Sequence, residues 1–302
     1  MSTYKTQVNQ AETAAFISEH LHMPNVDLEA IANGEGSQAF FFESPDGGRV
    51  LRVNSRSNEG FLKDQFAYEH FGSDQIPIPK VLEVGEISEG LHFAVSERSP
   101  GLPLDELPTP VIDRLVPEVI TILGAIHAVK PIGEGFGQWD LKGNGTRTSW
   151  RETVEAMRDD KGGDELITAG YFDPALGASV RKEITNLLAF CPEERRLVHG
   201  DFGFGNVIAE EGGVTGVIDW HPSMYGDPLF DVAWLAYWDD KRDYVAYFKD
   251  YYKSRGSLPE NYYERIACYE LAIGVQSLSF FAKSEQEDKY HYAAKRITEV
   301  KR

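Results

Sequence analysis

His199, Asp201 and Asn206 stand in the run Leu197-Val198-His199-Gly200-Asp201-Phe202-Gly203-Phe204-Gly205-Asn206, and Asp219 follows in Val217-Ile218-Asp219-Trp220. Together they supply the residue types that phosphoryl transfer requires. A transferring phosphoryl group passes through a loose transition state with charge spread over its oxygens, so the protein's part is positioning and charge neutralisation. A carboxylate must take the proton of the acceptor hydroxyl, which suits Asp201. An amide oxygen and a second carboxylate must hold Mg²⁺, which suits Asn206 and Asp219. His199 fits a role in organising the loop through hydrogen bonds.

The elements around these residues can be read from the same stretch. Residues 206–209 and 214–219 read as two short strands about the turn Glu211-Gly212-Gly213, and that hairpin would carry Asn206 and Asp219 toward one metal. Ahead of it, the N-terminal third reads as strands broken by a helix, and the remainder as mostly helical. A helix is expected over 10–21. Strands are expected over 39–43 and 49–54 about Ser44-Pro45-Asp46-Gly47-Gly48, and again over 81–86 and 91–97. Between the two pairs, Phe61, Leu62, Phe66 and Phe71 recur at helical spacing, with Asn58 placed to cap the start.

Ser99-Pro100-Gly101-Leu102-Pro103 interrupts regular structure and marks the expected boundary, giving a sheet lobe at 1–98, with a hinge near 96–100, and a helical lobe at 99–302. In the second lobe Ile112, Leu115, Val119, Leu123 and Ile126 share a face that Pro117 should kink or divide. Gly133 to Gly145 reads as a loop. Further helices are expected at 148–158, 174–190, 228–239, 242–254, 260–283 and 286–298. The expected fold class is α+β, a small antiparallel lobe expected to hold five strands and a larger helical one.

Composition narrows the partners. With 302 residues and 42% hydrophobic content the chain can bury a substantial core. A formal charge of −18 opposes binding to nucleic acid or an anionic membrane and favours a cationic ligand. The N-terminus lacks the apolar core of a secretory signal and no run is long enough to span a bilayer, so a cytoplasmic location is expected. Cys191 and Cys268 lie far apart with no metal-ligand spacing, and both are expected to be core thiols.

The chain resembles the aminoglycoside phosphotransferase family, whose fold is similar to that of protein kinases. The likeness runs through Leu51-Arg52-Val53-Asn54-Ser55, Ile76-Pro77-Ile78-Pro79, Thr148-Ser149-Trp150-Arg151, Cys191-Pro192-Glu193, the 197–220 core and Met224-Tyr225-Gly226-Asp227. Several of these segments are particular to the branch that acts on hygromycin B. The family's His-x-Asp-x-x-x-x-Asn pattern falls on His199, Asp201 and Asn206, and its Ile-Asp metal motif on Ile218 and Asp219.

The resemblance implies ATP and Mg²⁺ as cofactors. It implies that Gly34, Gly36 and Ser37 cap the nucleotide phosphates, and that Arg52 holds them where most relatives have Lys. Asp64 or Glu69 would pair with Arg52, and Ser96, Glu97 and Arg98 would form a hinge whose backbone meets adenine. The expected activity is O-phosphorylation of an aminoglycoside by a monomer, giving antibiotic resistance. A kinase of another small hydroxylated compound, of the macrolide, choline or homoserine type, and a non-catalytic nucleotide- or drug-binding pseudokinase are the alternatives.

Acceptor residues are expected on the helix that begins near Pro228, where Asp231, Trp234 and Trp238 share a face, and at Asp227 and Glu270. Carboxylates beside aromatic faces suit a polyhydroxylated cation through ion pairing and cation–π attraction. Asp227 and Asp231 are also candidates for bracing the catalytic loop, and Asp227 for capping the helix after Pro228.

Overall fold

The computed structural model describes residues 6–23, 26–32, 36–160 and 174–301. The chain divides into two compact units, residues 1–115 with 204–221, and residues 116–203 with 222–302.

Alternating apolar residues build the first unit's main sheet. Strands β1 (Glu29–Ile31), β2 (Gln38–Ser44), β3 (Gly47–Asn54), β4 (Val81–Ser88) and β5 (Leu91–Glu97) pair antiparallel in the order β1-β2-β3-β5-β4. Phe40, Phe42, Leu51, Val53, Phe93 and Val95 are buried together with Ile17 of helix α1 (Gln10–His20). Two-residue periodicity puts these side chains on one face, and their burial is the main stabilising term of the unit. Helix α2 (Glu59–Phe71) sits between β3 and β4 in the chain. Asn58 precedes it but makes no side-chain capping bond; the Ser57 hydroxyl accepts the Glu59 N–H instead, at 3.0 Å.

A smaller sheet explains why this unit does not stop at residue 98. Strand β6 (Leu102–Pro103) pairs with β10 (Val207–Glu210), which pairs with β11 (Gly213–Val217). Residues beyond the Pro/Gly break and the hairpin of the 197–220 core thus belong to one ladder, and the observed units differ in that respect from a single division at 98/99.

Helix α3 (Thr109–Ala128) runs through Pro117 without interruption, and the division between the units falls inside it. Its range contains both the residues expected before the proline and those expected after it.

In the second unit, Gly133 to Gly145 is not a plain loop. It contains strand β7 (Phe136–Trp139), and strand β8 (Gly145–Arg147) follows; with β9 (Arg196–Val198) and β12 (Met224–Gly226) they form a sheet ordered β8-β7-β12-β9. Glycines 133, 135, 137 and 143 all take positive φ, which masked the strand pattern in the sequence. The helices are α4 (Trp150–Arg158), α5 (Pro174–Leu187), α6 (Leu229–Trp238), α7 (Tyr244–Ser254), α8 (Tyr262–Lys283) and α9 (Glu287–Glu299). Helix α8 is apolar around most of its circumference because α4, α5, α6 and α9 all pack on it. No helix among the described residues is long and apolar enough to cross a membrane.

At Gly226, a Cβ would lie 2.2 Å from ring atoms of the fully buried Trp150. Gly226→Ala is expected to lower the unfolding free energy by about 2 kcal/mol, the scale of overpacking a closed core. Chemical denaturation of the two proteins measures it, and an unchanged midpoint would show that the Trp150 ring moves aside freely.

Candidate functional site

Strand β9 ends at Val198, opposite Met224 of β12, and the chain then leaves the sheet. The backbone groups that follow need new partners. The His199 N–H donates to Oδ2 of Asp231 at 2.9 Å, and the Gly200 N–H to its Oδ1 at 2.8 Å. Gly200 has φ +83°, and a Cβ there would come within 2.6 Å of the Pro222 carbonyl oxygen, so the turn requires glycine. The Asp201 N–H points to Nδ1 of the buried His199 at 3.4 Å, and the Asp201 carbonyl accepts from Gly203 N–H at 2.8 Å. Phe202 is buried edge-on to the His199 ring. The loop is thus anchored on both sides of Asp201.

Asp201 itself lines a cavity of about 620 Å³ within the second unit, together with Gly200, Phe230, Trp234, Asp159 and Asp160. Arg147, paired with Glu152 at 3.6 Å, is also on the wall. Asp159 is paired with Arg158 at 2.8 Å, and Asp160 with Lys283 at 3.9 Å. The wall is acidic and partly aromatic, a surface suited to a cationic polyol.

Of the expected acceptor residues, only Trp234 lines this cavity. Asp227 and Asp231 are enclosed, each 0% exposed, and their carboxylate oxygens are engaged internally. Asp227 accepts two bonds from Arg265, at 2.8 and 2.6 Å, one from the Tyr269 hydroxyl, and the Leu229 N–H at 3.0 Å at the start of α6. A buried carboxylate with a bidentate guanidinium is a structural joint, because losing either partner strands a charge in the interior. Asp231 braces the loop, as just described. Trp238 packs among Trp234, Tyr237, Phe281 and Tyr292. Glu270 lies half-buried on α8 and is absent from the cavity wall.

The first unit holds the other expected site residues. Ile218 N–H donates to the Asn206 carbonyl at 3.0 Å, continuing the register Val207↔Val217, so the hairpin sets Asn206 opposite Ile218, the residue before Asp219. Asp219 takes φ +64°, an uncommon left-handed conformation that Asp tolerates better than most residues. Arg52 Nη1 pairs with Asp64 Oδ2 at 2.6 Å, and Asp64 Oδ1 accepts the Trp220 N–H at 2.8 Å. Asp64 therefore ties the cation of β3 to the residue after Asp219, whereas Glu69 is exposed. The buried Lys63 donates to the His221 carbonyl at 2.6 Å, and burial pulls its amine down to about 8.

Burial, followed by the charge of Asp64, pushes the Asp219 carboxyl above the ordinary carboxylate range, while Arg52 and His221 act in the opposite direction. An extra positive charge beside Asp219 would relieve this, and an Asp oxygen with an amide oxygen is a hard donor set suited to Mg²⁺. No cluster of three or more His, Cys, Asp or Glu side chains fit to hold a metal exists among the described residues.

The remaining nucleotide-side residues that are described lie in the first unit. Gly34 lies outside the described residues. The Gly36 carbonyl accepts from Thr6 N–H at 3.1 Å, and the Ser37 hydroxyl accepts from Asn54 at 3.3 Å. At the hinge, Glu97 N–H donates to the Lys80 carbonyl at 2.9 Å and Arg98 N–H to the Gly48 carbonyl at 3.1 Å. Both donors are consumed by the sheet, and the Arg98 guanidinium lies over the Phe41 ring.

Residues 27–267 match the sequence model of the phosphotransferase enzyme family, and the chain belongs to that family. Among curated proteins it is 35% identical over 263 residues to the hygromycin-B 4-O-kinase of Escherichia coli, covering 83% of this chain and 74% of that protein. Among solved structures it is similar to a thermostable mutant of aminoglycoside phosphotransferase APH(4)-Ia in ternary complex with AMP-PNP and hygromycin B. That match has a TM-score of 0.82 at 34% identity, over 96% of this chain and 97% of the other. The GDP and kanamycin complex of APH(2")-IIia, at 15% identity and TM-score 0.71 over 95% and 97% of the two chains, shares the fold. These neighbours are kinases of protein-kinase-like fold, the class to which this architecture belongs.

Several residues of the cavity wall escaped the sequence reading: Asp159, Asp160 and Phe230. An acidic pair closing an amphipathic helix was the available signal for the first two.

Burial pushes the Glu270 carboxyl up to about 7, against the pull of Arg296 and Lys301. Between the ordinary value of 4.5 and about 7 the folded protein holds a proton that the unfolded chain has lost, so this group costs stability as pH rises through that window. Glu270→Gln is expected to add about 2 kcal/mol to the unfolding free energy at pH 8 and almost nothing near pH 4.5. Denaturant titrations at the two pH values check this; equal stabilities at pH 8 would mean the carboxylate is well solvated.

Proposed function

We propose that the protein is an ATP-dependent O-phosphotransferase acting on an aminoglycoside, hygromycin B or a close analogue, and that it confers resistance to that antibiotic. The observation that carries the reading is Asp201 on the wall of an acidic, partly aromatic cavity, on a loop whose backbone is anchored on both sides. The match to a hygromycin-B kinase over most of both chains supports the choice of acceptor.

In this reading the ammonium groups of the acceptor are drawn to Asp159 and Asp160, and a sugar ring lies against Trp234. Asp201 accepts the proton of the reacting hydroxyl as its oxygen attacks the γ-phosphorus, and the bond from that phosphorus to the bridging oxygen breaks, leaving ADP. The Arg52 guanidinium can grip phosphate oxygens, while Asp64 holds it in place. Asn206 and Asp219 would hold Mg²⁺, which when bound supplies charge neutralisation on the phosphate oxygens. His199 keeps the loop in shape from beneath.

Incubation with Mg-ATP and hygromycin B should yield a drug heavier by one phosphoryl group in mass spectrometry. An unmodified drug beside a phosphorylated different compound would move the activity to another small-molecule kinase. Asp201→Asn should lower turnover at least about 100-fold while ATP affinity stays nearly unchanged. Asp219→Ala should instead weaken Mg²⁺-dependent nucleotide binding, read by calorimetric titration with and without the metal. Near-normal turnover of Asp201→Asn would remove it from the role of base.

A further inference from the structure

We propose that Cys191 and Cys268 form a reversible, oxidant-driven disulfide that staples the end of α5 to α8 and closes the stretch of chain carrying the catalytic loop. The two cysteines are distant in sequence, yet both thiols reach carbonyls in the last turn of one helix. Sγ of Cys191, which follows α5 after a single 3₁₀ turn, lies 3.6 Å from the Leu187 carbonyl oxygen. Sγ of Cys268, on α8, lies 3.9 Å from that of Ile184. Those carbonyls stand three residues apart, about 4.5 Å along the axis of α5, so the sulfurs occupy neighbouring positions where α5 packs on α8. The two thiols are in hydrogen-bonding contact with each other.

The pair is asymmetric in the way that thiol oxidation needs. A cysteine serving only to fill the core would be enclosed, as Cys268 is, but Cys191 is half-buried and open to a small reagent. Cys268 has a single hydrogen, which it turns to the Ile184 carbonyl or, once Cys191 has ionised, to the Cys191 sulfur. That second bond, opposed by burial, draws the Cys191 thiol below its ordinary value. The same bond and the burial of Cys268 push its own thiol up. Cys191 is therefore the attacking sulfur and Cys268 the resolving one.

The oxidant is a small peroxide. The Cys191 thiolate attacks one peroxide oxygen, the O–O bond breaks, and hydroxide departs to leave a sulfenic acid. Cys268 gives its proton to that hydroxide, and its sulfur attacks the Cys191 sulfur. The S–O bond then breaks, and the second hydroxide takes up the proton that Cys191 released on ionising. Two thiols and one peroxide become one disulfide and two waters. Between the two cysteines run β9, the loop with His199 and Asp201, the β10–β11 hairpin, α6 and α7. Closing so long a loop removes chain entropy from the unfolded state, so the oxidised protein resists unfolding more than the reduced one.

The test treats the full-length protein with hydrogen peroxide, quenches it with iodoacetamide in denaturant and reads its mass. The wild type should lose about 2 Da, take up no alkyl group and yield a peptide pair joined through Cys191 and Cys268. Dithiothreitol should restore both alkylatable thiols. The oxidised protein should melt at least about 5 °C above the reduced one. Cys268→Ser, which lacks the resolving thiol, should instead carry oxygen on Cys191 and show no such rise. A wild type whose Cys191 gains oxygen, or whose two thiols are both alkylated, without a joined pair overturns the proposal. So does a pair joined between two molecules, or an oxidised form that melts no higher than the reduced one.

Discussion

A loop that presents a carboxylate to a substrate cannot also be part of a sheet, and its orphaned backbone donors must be satisfied by something that does not move. In this protein Asp231 meets that constraint. Its two oxygens take the N–H groups of His199 and Gly200, the two residues immediately before Asp201. The helix that carries Asp231 begins where Asp227 is locked by Arg265 and Tyr269. The chain of support runs from a buried ion pair, through a helix start, to a loop. Each link is polar and dehydrated, so each depends on complete pairing.

The first unit follows the same economy with different parts. Arg52 needs a partner that holds it in place without consuming all of its donors, and Asp64 supplies one oxygen to it and the other to the Trp220 backbone. One carboxylate thereby couples the cation of β3 to the segment after Asp219. The left-handed turn at Asp219 is sustained from two directions, by Asp64 at Trp220 and by Lys63 at His221.

How much of this was legible in the sequence depended on the kind of signal. Phe40, Phe42, Leu51 and Val53 alternate as a half-buried strand must, and the apolar positions of α2 recur at helical spacing, so the sheet and most helices could be read with small errors at their ends. The hairpin bearing Asn206 and Asp219 was legible because its turn is rich in glycine. Strand β7 was not, because positive-φ glycines interrupt it. Asp227 and Asp231 illustrate a different difficulty. A carboxylate in an aromatic-rich helix can face a ligand or an internal donor, and the residue type is the same in both cases. Only their burial and bonding distinguish the two. Asp64 and Glu69 were likewise equivalent on paper, being separated only by which face of α2 turns toward β3.

Strand β6 has a consequence for how the molecule is made. Leu102 and Pro103 pair with Ala209 and Ile208, which a ribosome adds much later, after it has produced α3, α4, α5 and β9. During synthesis the first unit must therefore wait with an unfinished edge, and an exposed edge is prone to pairing with other chains. No single cut of the gene yields either unit whole, since the hairpin at 204–221 is borrowed from the middle of the second.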